Sequence, residues 1–213
     1  MTTILLIRHG ESQANLHHIF CGQSDYDLSD KGYAQAAGTA KYIADNYAVT
    51  CVYASDLLRA YHTGEAIARE ANCPCIAAPN MREIHCGDWE EAPFDEMLIR
   101  WPESYPTWLH DIGHVQCPGG ENVPDVLART LPFLEEIAAR HGGETVAVAT
   151  HGTVIRALMC VLSGQPLDEM KNIRWVNNAS VTELIYDGGA WRFGRKNVDE
   201  HLGALSTSLP DTV

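Results

Sequence analysis

Two short β-branched runs, each ending in histidine and glycine, constrain this chain more than any other feature. They are Ile4-Leu5-Leu6-Ile7-Arg8-His9-Gly10-Glu11 and Thr145-Val146-Ala147-Val148-Ala149-Thr150-His151-Gly152. A continuous apolar run of this length is the pattern of a strand buried on both faces, as strands of a parallel sheet are. Open α/β sheets bind ligands at the carboxyl edge of their strands. If both runs lie in one sheet, His9, His151 and Arg8 meet in one crevice that attracts an anion.

The rest of the chain supplies the elements for such a sheet. Ser29 or Asp30 caps a helix whose apolar positions are Tyr33, Ala36, Ala37, Ala40, Ile43, Ala44 and Tyr47. Cys51-Val52-Tyr53-Ala54 reads as a strand, with Ser55 as the cap of a helix carrying Arg59 and Ile67. A weak strand falls near Cys75-Ile76-Ala77-Ala78. A long helix covers about Asn122 to Arg140, where Pro132 predicts a kink or a late start. Another helix follows His151 and ends near Gly164 and Pro166. Ser180 to Tyr186 and Trp191 to Lys196, joined by Asp187-Gly188-Gly189, read as a β-hairpin. The expected fold is α/β, a three-layer α/β/α sandwich with a mostly parallel sheet and an antiparallel edge strand from the C-terminal hairpin. One domain is expected over residues 1–204. Residues 87–120, without steady periodicity, read as an insert rather than core, and 205–213 as a mobile tail.

Charge and cysteine usage narrow the function classes. A net charge of -13 repels nucleic acid and anionic membrane surfaces, and no stretch is long and apolar enough for a membrane span. Seven scattered cysteines, an odd number in a chain too large to need staples, read as reduced thiols of a cytoplasmic protein. His17, His18, His110 and His114, or Cys73 and Cys75 with His85, do not repeat a metal-ligand spacing, so no metal is expected. An exposed sheet edge or the insert leaves open a homo-oligomer.

The motif set resembles the histidine phosphatase superfamily, which includes cofactor-dependent phosphoglycerate mutases. Arg8-His9-Gly10-Glu11-Ser12 with Asn15 resembles its Arg-His-Gly signature. Gly22, Asp25 and Leu28-Ser29 through Gly32 and Gln35 resemble the next block, with Asp27 where proline is usual. Ser55 to Thr63 resembles the arginine helix, Arg82-Glu83-Ile84 with Gly87-Asp88-Trp89-Glu90 the acid block, Pro118-Gly119-Gly120-Glu121 the later loop, and Thr150-His151-Gly152-Thr153 the second histidine block. The blocks run in order from about residue 3 to 202.

The resemblance implies phosphoryl transfer through a phosphohistidine, with His9 as nucleophile. Such chemistry needs fixed donors around three charged oxygens, and Arg8, Arg59 and a protonated His151 are the implied catalytic cations. Glu83 is the implied general acid and base. Asn15, Gly152 and Thr153 join Arg8, Arg59 and His151 as phosphate contacts, and the N–H groups around Gly10 and at the start of the helix after His151 are further candidates. No cofactor is implied. A small phosphorylated substrate is expected, hydrolysed as a phosphate monoester. The alternative of a mutase, an isomerase, is disfavoured because residues 87–120 hold only one arginine, Arg100, against Asp88, Glu90, Glu91, Asp95, Glu96, Glu103 and Asp111. An inactive phospholigand-binding or interaction protein would have lost part of the set, which is intact here. The aromatics Trp89, Trp101, Tyr105 and Trp108 either pack the insert onto the sheet or form an apolar wall for a substrate's organic half.

Overall fold

The computed structural model describes residues 1–207. Its strands are β1 (Thr2–Arg8), β2 (Val49–Ala54), β3 (Cys75–Ala77), β4 (Thr145–Thr150), β5 (Val181–Asp187) and β6 (Ala190–Phe193), in the order β3-β2-β4-β1-β5-β6. The first four are mutually parallel, and the β5–β6 hairpin closes one side antiparallel to β1. Arg8 lies opposite Thr150 in the β1–β4 register, and Ala54 opposite Ala149 in β2–β4. Ser55, His9 and His151 therefore leave three adjacent strands at one edge.

Among the described residues the α-helices are α1 (Gln13–Leu16), α2 (Asp30–Asn46), α3 (Leu58–Ala71), α4 (Met97–Arg100), α5 (Tyr105–His110), α6 (Val123–Arg140) and α7 (Gly152–Val161). Alternation along the strands sorts the core into two layers. Leu5, Ile7, Val52 and Ala147 face α2 and α3 through Ala40, Ile43 and Ile67. Ile4, Leu6, Tyr53 and Val148 face α6 and α7 through Val126, Leu134, Ile155 and Leu158. The observed fold is the α/β sandwich with the antiparallel edge expected from the sequence.

Five local expectations change. Residues 87–120 are not an add-on: Trp89, Met97, Tyr105, Trp108, Ile112 and Val115 are buried in the same core as β1 and β4. Their short turns show no period because each presents only one or two side chains inward. The inward face of α2 is also rotated, with Gln35 and Thr39 buried while Tyr33 and Ala37 are exposed. Both buried polar residues serve as brackets. Gln35 accepts from the Glu11 N–H and donates to the Leu205 carbonyl and Thr207 Oγ1, while Thr39 donates to the Ala179 carbonyl. Leu205 and Thr207, assigned to the tail by sequence, are thus held; residues 208–213 lie outside the described part. Finally, α6 runs continuously through Pro132, starting from an Asn122–Asp125 capping box, and α3 starts from Leu57 without a side-chain cap, since Ser55 is engaged elsewhere.

Gly64 sets how closely α3 approaches the strands that carry the site. A Cβ there would lie 2.7 Å from Ala54 Cβ and 3.3 Å from Ala149 Cβ. Gly64→Ala is expected to lower unfolding free energy by about 1–3 kcal/mol through overpacking, despite alanine's helix propensity. Gly142→Ala, with open space around it, is the control. Urea midpoints for the two variants check this.

Candidate active site

The end of β1 fixes the first histidine by its own backbone. His9 Nδ1 lies 2.7 Å from the Gly10 carbonyl, and a carbonyl only accepts, so Nδ1 carries the proton and Nε2 keeps its lone pair. Burial, then Arg59 and Arg8, hold the ring well below the ordinary histidine range, so it is neutral. The His9 and His151 ring centroids are 5.2 Å apart. Gly10 is glycine because a Cβ there would meet the Gly32 carbonyl oxygen at 2.5 Å.

Both arginines are aimed by carbonyls rather than carboxylates. Arg8 Nη1 donates to the Val176 carbonyl at 2.7 Å, its Nε is buried without a protein partner, and burial pulls the guanidinium down to about 10. Arg59 Nη2 and Nη1 donate to the carbonyls of Gly22 at 2.6 Å and Ser24 at 3.0 Å. Asp56 is not its ion-pair partner, being engaged by Arg82. The arginine charge is therefore not neutralised by a salt bridge.

Glu83 is buried beside these cations. Oε1 accepts the Ile84 N–H at 2.8 Å and Oε2 the Thr153 N–H at 3.1 Å. Burial nevertheless outweighs those donors and the nearby Arg59 and Arg8, and raises its pKa above the usual carboxyl range. The first turn of α7 thus holds the acid through Thr153, and the Gly10 N–H is likewise committed, to Thr63 Oγ1 at 3.1 Å. Neither N–H is open for the anion contact expected from the sequence. Gly152 and the Thr153 side chain remain at the cavity wall. Glycine at 152 admits the Trp175 ring, which a Cβ would meet at 3.2 Å, and the Arg8 guanidinium, at 3.5 Å.

His151 corrects a charge expectation. It is fully buried, and burial followed by Arg59, His9, Arg129 and Arg8 holds it well below the ordinary histidine range. In the free site it is neutral, not protonated. Its Nε2 is 2.8 Å from Ser55 Oγ, and its Nδ1 is buried without a protein partner. Asn15 does two things at once: its Oδ1 takes the Ser12 N–H of the α1 capping box and the Asn178 amide, which leaves its own NH₂ group outward. Asn178 also donates to the His9 carbonyl.

Sequence reasoning missed three supporting residues. Ser55 directly follows the third parallel strand, as His9 and His151 follow theirs, and that shared position was the available signal. Asn178 had none, since it reaches the site from before β5. Glu90 was seen only as part of the acid block; its Oε1 accepts the N–H groups of Gln23 and Cys86, and its Oε2 those of Gly22 and Ser24 plus the Ser24 hydroxyl. Burial opposes its charge, yet these donors prevail and hold it below the usual carboxyl range. The loop it organises is the one whose carbonyls hold Arg59.

Arg8, Asn15, Glu83, Gly152, Thr153 and Asn178 line a cavity of about 420 Å³, whereas His9, Arg59 and His151 are not among its lining residues. No helix among the described residues is long and apolar enough to cross a membrane. Among the same residues, no three His, Cys, Asp or Glu side chains converge as metal ligands. The model of the histidine phosphatase superfamily (branch 1) matches residues 4–199. The chain belongs to that superfamily. It is 31% identical over 203 residues to phosphoserine phosphatase 1 of Hydrogenobacter thermophilus, covering 95% of each chain. It is likewise 31% identical over 209 residues to the glucosyl-3-phosphoglycerate phosphatase of Mycolicibacterium vanbaalenii, covering 92% of each. The solved structure of Bacillus stearothermophilus YhfR superposes with a TM-score of 0.90 at 31% identity, over 95% of this chain and 100% of that one.

Glu90→Gln would set an NH₂ group against backbone N–H donors and loosen the loop under Arg59. With circular dichroism unchanged, kcat/KM for an aryl phosphate is expected to fall about 10- to 100-fold, the scale of a misplaced catalytic contact. Steady-state kinetics on the folded variant checks it.

Proposed function

We propose that this superfamily member hydrolyses phosphate monoesters of small metabolites through a phosphohistidine on His9. The observation that carries the reading is a neutral imidazole with Nδ1 tied to the Gly10 carbonyl, its Nε2 lone pair free, and two carbonyl-anchored arginines nearby. The names of similar proteins support phosphatase chemistry on small phosphorylated compounds.

In the first step Nε2 attacks phosphorus, the P–O bond to the alcohol breaks, and Glu83 gives its proton to the departing oxygen. In the second, water attacks phosphorus, Glu83 takes the proton back, and the N–P bond breaks to return neutral His9. Arg8, Arg59 and Asn15 would hold the equatorial oxygens throughout. With the Ser55 hydroxyl donating to Nε2, His151 offers Nδ1–H as a further donor, and the phosphate charge favours its protonation once bound. Seven free cysteines support work in a reducing compartment such as the cytoplasm. Phosphoryl transfer back to substrate, the mutase reaction, would require a bisphosphorylated species to be retained beside Glu11 and Glu83, which line the cavity with Arg8.

The two pKa directions set the pH dependence. His9, lowered, is already a free base below the usual histidine range, while Glu83, raised, keeps its proton above the usual carboxyl range; alkyl phosphate turnover should peak on the acidic side of neutrality and fall as Glu83 ionises. Glu83→Gln should reduce turnover of an alkyl phosphate about 10²- to 10⁴-fold, yet cost a 4-nitrophenyl ester much less, because that leaving group needs no proton. His9→Ala should abolish both, and alkaline trapping during turnover should place an acid-labile phosphate on the peptide containing His9. Label on another residue, or none, would overturn the reading. Activity should persist in excess chelator, since the cations are side chains; its loss, restored by a divalent metal, would count against the scheme.

A further inference from the structure

Apart from the polar residues of the cradle, the cavity has a strongly aromatic component to its lining. Ile19, Phe20, Phe94, Trp108 and Trp175 line it. Phe20 packs edge to face on Trp108 at 4.8 Å and on Phe94 at 5.6 Å, centroid to centroid, while Trp108 and Trp175 are tilted at 33° with centroids 6.0 Å apart. Such mutual support fixes the wall as a rigid aromatic surface.

Charge on that wall points the same way. Among the described residues, Arg8 is the one arginine or lysine lining the cavity, and it belongs to the cradle. Nearby cations are engaged elsewhere: Arg100 stacks on Trp101 and pairs with Glu96, Arg82 pairs with Asp56, and Arg156 stacks on Trp175 while donating to the Lys171 carbonyl. Glu11 adds a carboxylate to the cavity lining. Beyond the cradle, a substrate carboxylate would find no arginine or lysine among the described lining residues, only the His18 imidazole, and would meet the Glu11 carboxylate.

Taking the phosphatase reading as its basis, we infer that the wall selects phosphate monoesters whose alcohol is an uncharged aromatic or bulky apolar group and disfavours carboxylate-bearing esters such as phosphoserine and phosphoglycerate. The organic half lies against the rings while the phosphate reaches His9. This departs from the substrates named for the similar proteins.

The test compares 2-phenylethyl phosphate with O-phosphoserine and 3-phosphoglycerate, all with alkoxide leaving groups, so that leaving-group acidity does not imitate a binding preference. Removing a phenyl ring from water sets the expected scale, a kcat/KM advantage of about 30-fold for 2-phenylethyl phosphate. Ile19→Lys places an ammonium on the wall and should shift the ratio at least about tenfold toward O-phosphoserine; a ratio within one protein is insensitive to partial misfolding. Equal or faster turnover of the carboxylate esters by the wild type overturns the inference and leaves the phosphatase reading standing. A phenylethyl preference unmoved by Ile19→Lys overturns the assignment of selectivity to this wall. No phosphate release from any ester overturns both readings.

Discussion

The structure depends on the register of three parallel strands. Because Arg8 sits opposite Thr150, and Ala54 opposite Ala149, the residues that follow are delivered side by side without a long loop to order. The backbone bonds continue past the last paired residues, from the His9 N–H to the Thr150 carbonyl and from the Ser55 N–H to the Ala149 carbonyl. A side chain placed this way inherits the rigidity of the sheet, which is what the proposed role of His9, in a reaction governed by positioning, requires. A slip of one residue would turn every side chain on a strand to the opposite face and dismantle the site with the core.

The second organising element is the use of backbone carbonyls to aim positive charge. Arg8 and Arg59 are oriented by Val176, Gly22 and Ser24, so their geometry is fixed while their charge stays available to an incoming anion. Burial together with these cations keeps both histidines neutral, whereas burial alone, against the pull of the same cations, leaves Glu83 reluctant to ionise. A protein carrying thirteen negative charges in excess can thus hold a local anion site, because the field inside a buried crevice is set by its nearest groups.

The sheet and its histidine pair were legible because strands buried on both faces announce themselves as β-branched runs. Helices α6 and α7 were legible too, the first over about Asn122 to Arg140 and the second directly after His151. The inward face of α2 was not, since Gln35 and Thr39 are buried for their hydrogen bonds and hydropathy misplaces them. The insert escaped for a different reason. Phe20 and Trp108 meet across nearly ninety residues of chain, and a core assembled from single side chains on separate turns leaves no local repeat. Glu90 and Ser55 act through contacts whose partners are distant in sequence, so residue type alone could not assign them.

The anchoring of the chain's far end to Gln35 has a practical side. Thr207 stands at the wall of the cavity, whereas Met1 precedes β1 at the opposite edge of the sheet. The last described residue therefore lies at the cavity, and the first on the other side of the sheet. Affinity handles and fluorescent fusions belong at the amino terminus, away from the cavity.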